Sequence, residues 1–511
     1  MKFFLLQSLV VLGNFRCVAP LYNLYFIQHV ETKSVANLQL VFLTVKISFH
    51  LIVHFVVCFV IFNHTISNMA SKQKLGIFSL TMIVVSLVIG MGIFKTPAGI
   101  AAKAGTTIIF YGAWLIGGFI ALCGALTYAE IGVRLPAVGG YYKIFATCYH
   151  PSIAFAVNCI ILISNAASLS GVALIGSEYI SQIIFAVPPT DFIKALIAMV
   201  AIAMFYGINL LGLRMSSTTQ NILMLIKISM ILLIVSAIFF PVKNIAPAVT
   251  IPTGDFKFID YVKSFGLALI AVSFTYGGYQ QTINFGDEVK NPQKNLPRGI
   301  FIGIMVIILL YLSVSYAYFR VIGFEELKNA KGIAAIVAER MFGPTGRYAF
   351  SILLFIAVLA YVNVLLLSNP RVMYAMSQDG ILPKAFGKKD EKRDVLTVSL
   401  TVYALISVVV LFFADTFDKI LSFTIFLDSI GMAFSAATIF IIRKRTQHLD
   451  KSQIYSMRFF PVMPVIFIAA YVFVAINIAM DKPETALTAT AVLAGFLLLF
   501  FLTRKKRSSH V

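Results

Sequence analysis

The chain has 511 residues, of which 59% are hydrophobic and only 12% are charged, and its formal net charge is +20. This composition excludes an ordinary soluble globular protein. Apolar runs of about 20 residues recur along the chain, which is typical of a polytopic membrane protein embedded in a lipid bilayer. The basic residues lie in short connections and at the C-terminus. We therefore expect them to set membrane orientation, and we expect no binding of nucleic acid.

Residues 1–68 differ from the rest of the chain. They hold one of the 32 glycines, Gly13, and four of the seven histidines. The run 35–62 is long enough to span a membrane but contains Lys46 and two histidines, whereas Met69 opens a short basic segment before a strongly apolar run. We interpret 1–68 as an atypical extension, which is either a start-site artefact or an additional helix.

Length and apolarity predict about twelve membrane spans. A ten-span core covers 69–445, the last two spans lie within 446–503, and a basic tail covers 504–511. A short amphipathic helix outside the membrane is predicted at 324–341. The predicted spans are 77–102, 107–133, 151–186, 192–212, 217–240, 262–287, 298–322, 346–377, 396–414, 417–442, 459–480 and 484–503.

The alternate short loops differ in charge, which predicts orientation. One side carries Arg134, Lys143, Lys290 and the clusters at 384–393 and 443–445, and the tail at 504–507 falls on the same side. We interpret these basic residues as orientation anchors. Both ends of the core are then cytoplasmic, and the chain is expected in the inner (cytoplasmic) membrane.

The first span is interrupted. Gly90 and Gly92 lie inside the apolar run, and Pro97 follows five residues after Gly92. Each glycine weakens a helix, and proline removes a backbone donor. A broken helix is tolerated in hydrocarbon only where the freed N–H and C=O groups meet protein, water or a ligand. The sequence therefore predicts a substrate-binding break.

The sixth span has a similar interruption at Gly277 and Gly278. Glycine-interrupted helices at equivalent places in two five-helix halves indicate an inverted-repeat transporter. The N-terminal end of a half-helix offers free N–H groups to a carboxylate, and the C-terminal end offers carbonyls to an ammonium. One such site holds both charges of an amino acid.

Several motifs in order carry a family resemblance. They are Gly90-Met91-Gly92-Ile93-Phe94, Tyr128-Ala129-Glu130-Ile131-Gly132, Gly139-Gly140-Tyr141-Tyr142, Phe274-Thr275-Tyr276-Gly277-Gly278, Glu288-Val289-Lys290-Asn291-Pro292, and Arg371 with Asp379-Gly380 and Leu382-Pro383. The core resembles amino acid–polyamine–organocation (APC) transporters, close to the L-type amino-acid transporters and their bacterial exchangers. The resemblance implies an all-α LeuT-type fold with a 5+5 inverted repeat, discontinuous first and sixth helices, and alternating access.

The resemblance also implies roles at the two breaks. Gly90, Met91, Gly92 and Ile93 match the break that binds the substrate carboxylate, although a small hydroxyl residue often stands where this chain has Met91. Phe274 matches an aromatic residue that closes over the substrate from outside. The carbonyls of Thr275, Tyr276 and Gly277 match those that face the substrate ammonium.

Lys227 lies within the fifth span. A lysine at membrane depth costs about 2.5–3.5 kcal/mol on insertion scales, so it normally has a partner or a task. It matches a lysine that replaces the sodium ion of sodium-coupled relatives and whose ammonium links the first and eighth helices. The alternative is a lysine that snorkels to the membrane surface. The first interpretation argues against sodium coupling and leaves exchange or proton coupling open.

Asp428 lies in the tenth span and matches a polar pocket residue that is more usually an amide in the L-type branch. A carboxylate there has three possible uses: pairing with a cationic substrate, carrying a proton, or capping a helix break. Four further polar residues of the spans are assigned to interhelical hydrogen bonds, with pocket lining as the alternative. These four are Ser164, Asn165, Ser168 and Asn363.

Glu130, Arg134 and Tyr142 belong to the loop signature after the second span, and we assign them to gate and loop structure. The L-type heteromeric transporters carry a cysteine in the loop after the third span that bonds a helper subunit. The corresponding residues 185–190 contain no cysteine. We therefore expect no disulfide-linked partner.

The function that follows is sodium-independent amino-acid transport by exchange or proton coupling. A carrier of cationic amino acids or polyamines is the alternative, and an amino-acid-sensing receptor is a more remote one. The five cysteines and seven histidines show no metal-ligand spacing. No acid–base or nucleophilic cluster recurs in the spans, so we expect neither an enzyme nor a cofactor, apart from protons as a coupling ion.

Overall fold

The structure is a computed structural model that describes residues 75–90, 92–136, 139–185, 189–239, 258–330, 332–413, 417–447 and 454–507. The predicted extension 1–68 and Met91 lie outside the described residues. Residues Ala70–Ile183 and Val187–Val511 belong to one compact unit.

The described residues form fifteen α-helices and no β-strand, which confirms the predicted all-α class. The helices are α1 Ile77–Val88, α2 Gly92–Ala104, α3 Thr107–Arg134, α4 Gly140–Cys148, α5 Pro151–Ile184, α6 Asp191–Leu210, α7 Leu213–Ser236, α8 Phe258–Tyr276, α9 Pro292–Ile322, α10 Phe324–Asn329, α11 Ile333–Gln378, α12 Thr397–Phe413, α13 Phe417–Arg445, α14 Val462–Asp481 and α15 Pro483–Arg507.

Ten of these helices are long and apolar enough to cross a membrane. The pair α1 and α2 forms one further span that is bent by 41°, and the shorter apolar helix within α12 matches the predicted ninth span. Each predicted span therefore has a helical counterpart. Helices α4 and α10 lie between spans.

The predicted outer helix at 324–341 is instead two helices, α10 and the beginning of α11. Gly332 adopts a φ of 70° between them, which stops a continuous helix. Gly343 then separates the outer part of α11 from its membrane-spanning part, because its φ of 71° and ψ of −167° are not helical.

Helix α5 lies at the centre of the bundle and α15 at its edge. In the most apolar window of α5, 83% of the residues are buried, compared with 11% in α15. A helix that is apolar all round and buried belongs to a core, whereas an equally apolar but exposed helix fits a lipid-facing position.

Helix α3 packs closely on the sixth span through glycines spaced along one side. A side chain added at Gly117 would collide with Val272, and one added at Gly132 would collide with Ile283, further along the same span. Small residues let membrane helices approach each other closely. Helix α3 therefore supports the sixth span along its length.

Pro97 lies inside α2 rather than at the break. It is the sixth residue of that helix, so its missing N–H leaves the Ile93 carbonyl, four residues back, without its usual helical donor. The Thr96 hydroxyl donates to the carbonyl of Gly92 at 2.9 Å, which satisfies one backbone acceptor at the start of α2. The interruption itself lies between Val88 and Gly92.

Candidate functional site

The first break exposes carbonyl groups at the end of α1, and two buried side chains reach them. The Lys227 ammonium donates to the carbonyl of Ile89. The Tyr311 hydroxyl donates to the carbonyl of Val88 at 3.1 Å. Gly90 N–H donates back to the same Val88 carbonyl at 2.7 Å, so the chain makes a tight turn here. Side chains from α7 and α9 thus support the break.

Helix α2 begins after this turn at Gly92. The first N–H groups of a helix have no intrahelical partner and form the positive end of its dipole, so the N-terminus of α2 suits a carboxylate. A side chain added at Gly92 would lie 3.0 Å from Thr275 Cγ2. The Thr96 and Thr275 hydroxyls are also 2.9 Å apart. The two interrupted spans therefore touch at their breaks.

The sixth span breaks after Tyr276, and a 3-10 helix then runs over Tyr279–Asn284. The sequence predicts two helical halves, and the structure makes the second half a 3-10 segment. Gly278 has a φ of 111°, and a side chain there would collide with the carbonyl of Leu87. Its N–H donates to the Gln280 side-chain oxygen at 2.9 Å instead of continuing α8.

A cavity lies between the two breaks. Its volume is about 50 Å³, which is enough to hold ordered water. Backbone and small side chains from the two breaks form one wall, and polar and aromatic side chains from α5, α11, α13 and α14 form the other. The lining residues central to the argument are Gly90, Gly92, Phe274, Gln281, Tyr361 and Asp428.

Asp428 supplies the one carboxylate among the described residues that line this cavity. It is half-buried, and Ser164 Oγ donates to its Oδ1 at 2.9 Å. One turn along α5, the Ser168 hydroxyl lies 2.8 Å from the Tyr361 hydroxyl. The Tyr361 ring lies against Gly90, since a side chain there would come within 3.3 Å of it. Helix α5 therefore connects the acid to the first break.

Three amide side chains form a directed chain beside the cavity. Gln281 Nε2 donates to Asn165 Oδ1 at 3.0 Å, and Asn165 Nδ2 donates to Asn369 Oδ1 at 2.7 Å. Asn369 Nδ2 in turn donates to the Leu365 carbonyl at 3.1 Å. The Gln281 Oε1 atom is buried, lines the cavity through its residue, and has no hydrogen-bond partner.

Lys227 is fully buried, so it does not snorkel to a membrane surface. It contacts the first span directly, and it is not among the residues that line the cavity. Another residue of α7, Gln220, bonds the eighth span, α11: its side-chain oxygen accepts from Asn363 Nδ2 at 2.7 Å. Asn363 Oδ1 in turn accepts from Asn209 of α6 at 2.8 Å. Of the four polar residues, Asn363 thus serves interhelical bonding, whereas Asn165 and Ser168 also line the cavity.

The structure brings together six of the nine residues proposed to bind substrate. Ile93 and Tyr276 are buried away from the cavity, and the Tyr276 hydroxyl donates to the Trp114 carbonyl at 3.4 Å. Met91 lies outside the described residues. The six that line the cavity are Gly90, Gly92, Phe274, Thr275, Gly277 and Asp428.

Glu130 is the centre of a buried ion-pair cluster on the membrane face that carries the basic loops. Its carboxylate accepts from Arg134 Nε at 2.8 Å and from Arg443 Nε and Nη2, each at 2.7 Å. Met457 N–H also donates to it at 2.9 Å. Arg443 further stacks on the Phe460 ring, 3.8 Å from its centroid. The interpretation of Arg443 as a simple orientation anchor is therefore incomplete, because it links α13 to α3.

A second bidentate pair lies on the same face. Arg371 donates to Glu288 through Nε at 2.8 Å and Nη2 at 2.9 Å, and it stacks 4.6 Å from the centroid of Phe285. In α4, Tyr142 is buried, and burial together with the Asp379 carboxylate raises the pKa of its phenol. Asp379 also accepts from Lys143 at 2.5 Å. These pairs join α3, α4, α11 and α13 at the face that carries the basic loops.

Two contributors were missed by the sequence interpretation. No sequence motif marks Gln281, because residues 280, 282 and 284 around it are also polar. Which of these side chains lines the cavity is decided by the 3-10 conformation of the segment. Arg443 is one of three consecutive basic residues, and its partner Glu130 is 313 residues away. A buried acid in an apolar span is the signal that points to such a partner.

The comparisons with known proteins agree with this geometry. The Amino acid permease family model matches residues 75–501. The "Serine/threonine exchanger SteT" of Bacillus subtilis is 26% identical over 87% of this chain and 100% of its own length. The mouse "Asc-type amino acid transporter 1" is 23% identical over 85% of this chain and 82% of its own. The human "Large neutral amino acids transporter small subunit 2" is 24% identical over 85% of this chain and 81% of its own length.

The chain belongs to the amino acid permease family of the APC superfamily, and it is a membrane transporter of amino acids rather than an enzyme.

Proposed function

We propose that the protein carries amino acids across the cytoplasmic membrane without sodium, by alternating access around the cavity between the two helix breaks. The observation that carries this proposal is the contact of the buried Lys227 ammonium with the Ile89 carbonyl. A fixed cation already occupies this acceptor at the break. A mobile sodium ion is then not needed to coordinate this carbonyl.

The two charges of the substrate backbone have matching ends in the cavity. The N-terminus of α2 at Gly92 suits the carboxylate, and the last carbonyls of α8, at Thr275 and Tyr276, together with that of Gly277, suit the ammonium. Phe274 lines the same cavity and is assigned to closure from outside. We assign the carboxylate contact to the backbone N–H groups of Met91, Gly92 and Ile93, since the Ile93 side chain is buried away from the cavity. Gly90, whose own N–H donates to the Val88 carbonyl, is assigned to the turn that precedes them.

Glu130, Arg134 and Tyr142 are assigned to the inner gate. The ion pairs of Glu130 and of Glu288 hold helices together beneath the cavity. Opening toward the cytoplasm requires these pairs to separate, so they favour the state that is closed on this side. With the basic loops cytoplasmic, both ends of the core face the cytoplasm. No cofactor and no disulfide-linked helper subunit form part of the proposal.

Uptake into proteoliposomes tests the proposal. Purified full-length protein is reconstituted and offered labelled amino acids in sodium or choline buffer, with vesicles either empty or preloaded with the same amino acid. We expect equal uptake in both buffers. A requirement for preloading establishes exchange, and stimulation by a proton gradient in empty vesicles establishes proton coupling. Uptake that needs sodium overturns the role of Lys227, and transport of no amino acid overturns the proposed function.

A further inference from the structure

Two residues that line the cavity, Asp428 and Gln281, offer acceptors for hydrogen bonds and negative charge. Asp428 contributes a carboxylate, of which only Oδ1 has a described hydrogen bond, from Ser164. Gln281 is 5% exposed, and its Oε1 has no partner. Buried polar atoms are almost always paired, so an unpaired one at a cavity points to a group that arrives with a ligand.

No lysine or arginine occurs among the described residues that line the cavity. Lys227 donates to the Ile89 carbonyl behind the first break, and the arginines on Glu130 and Glu288 lie in the ion-pair layer at the basic face. The charge of Asp428 therefore has no built-in counterion in the cavity. A carboxylate inside a membrane protein is costly until a cation meets it, and the hydrogen bond from Ser164 supplies no charge.

The zwitterion of an amino acid does not fill this need, because its ammonium already has the carbonyl end of α8. We infer that Asp428 and Gln281 form a cation subsite that binds the side-chain ammonium of a diamino acid. The carboxylate provides the charge, and Gln281 Oε1 accepts a second N–H. This inference rests on the proposed function and specifies its substrate class. This substrate class differs from those in the names of two of the relatives, which refer to serine and threonine and to large neutral amino acids.

The test compares cationic substrates with neutral ones of the same shape. Reconstituted full-length protein is assayed for competition by 2,4-diaminobutyrate against norvaline and by ornithine against norleucine. Each pair differs by an ammonium in place of a methyl group. A hydrogen bond to a charged group contributes enough to favour the diamino acid by about 10- to 100-fold. Because the cavity is narrow, the shorter pair is expected to show the larger preference.

Two variants locate the effect. Asp428→Asn keeps the shape but removes the charge, and it is expected to abolish the preference, so that 2,4-diaminobutyrate and norvaline compete equally. Asp191→Asn is the matched control, since this carboxylate is fully exposed at the start of α6. It is expected to keep the preference. If Asp428→Asn is inactive toward every substrate, the inference is judged by whether the unmodified protein prefers each diamino acid over its neutral counterpart.

The outcomes separate the inference from the proposed function. Equal or weaker competition by the diamino acids overturns the cation subsite, even when neutral amino acids are transported. Neutral uptake that is driven by a proton gradient and loses this dependence in Asp428→Asn also overturns it, because Asp428 is then a proton site. Transport of no amino acid at all overturns the proposed function itself.

Discussion

Replacing Lys227 with methionine tests the link between a built-in cation and transport. Methionine has about the length of the lysine stem and no charge. In the structure, Lys227 is fully buried and donates to the Ile89 carbonyl at the first break. The substitution therefore removes the ammonium at the break with little change in packing volume.

Two opposing terms determine the effect on stability. Leaving the buried Ile89 carbonyl without a donor costs about 1–3 kcal/mol. Removing a buried ammonium relieves a desolvation penalty of several kcal/mol. We therefore expect Lys227→Met to melt within a few degrees of the unmodified protein or above it. Transport depends on the shape of the break rather than on the net change in the free energy of unfolding. The loss of a charged hydrogen bond of about 1.5–3 kcal/mol predicts uptake reduced by about 10- to 100-fold.

The assay measures exchange in proteoliposomes together with thermal unfolding of the same preparations. Lys194→Met is the control, because Lys194 pairs with the exposed Asp191 at the outer end of α6. It is expected to leave both quantities unchanged. Uptake by Lys227→Met at the unmodified rate would refute the argument. So would a loss of uptake that merely follows a large fall in melting temperature, since the lysine would then be a structural residue.

Three further substitutions test the breaks and the ion-pair layer. Gly278→Ala places a side chain at a φ of 111°, where it collides with the first span. We therefore expect the free energy of unfolding to fall by at least about 2–3 kcal/mol and little folded protein to be recovered. The control is Gly105→Ala, which has a φ of 69° but open space around it and should lower the melting temperature by much less. Glu288→Gln leaves the charge of Arg371 without a counterion in a nearly buried site, which predicts a fall of about 3–5 kcal/mol in the free energy of unfolding. Thermal unfolding measures this change, and an unchanged melting temperature contradicts the buried pair. Glu130→Gln weakens the contacts of two arginines, and we expect cysteine probes placed beneath the cavity to become accessible from the basic face; unchanged labelling argues against a gate there.

The positions of the spans and of both breaks were predictable from sequence because they are local properties. Hydrophobic length predicts a span, and paired glycines weaken a helix wherever they occur. The predicted breaks at Gly90–Gly92 and Gly277–Gly278 coincide with the ends of α1 and α8. Pro97 was less informative than expected, since it lies inside α2.

The residues that face the cavity were harder to predict. Spans such as α5 and α13 are apolar over most of their circumference, so hydrophobic periodicity does not say which side points inward. Asp428 was recognised as a candidate because its position in the tenth span matches a polar pocket residue of the L-type transporters. The contact of Asp428 with Ser164 and the presence of Gln281 in the same cavity became evident only when α5 and the 3-10 segment were placed in space.

The sequence by itself determined that the chain spans a membrane repeatedly, where two of its helices break, and which charged residues lie at membrane depth. The tertiary structure alone decided what those charges meet: Lys227 a carbonyl of the first break, Glu130 an arginine 313 residues away, and Asp428 a cavity with no described basic residue in its lining. The physical reason is the range of the forces. Hydropathy and backbone freedom act within a few residues, whereas the partner of a buried charge is set by helix packing between distant segments.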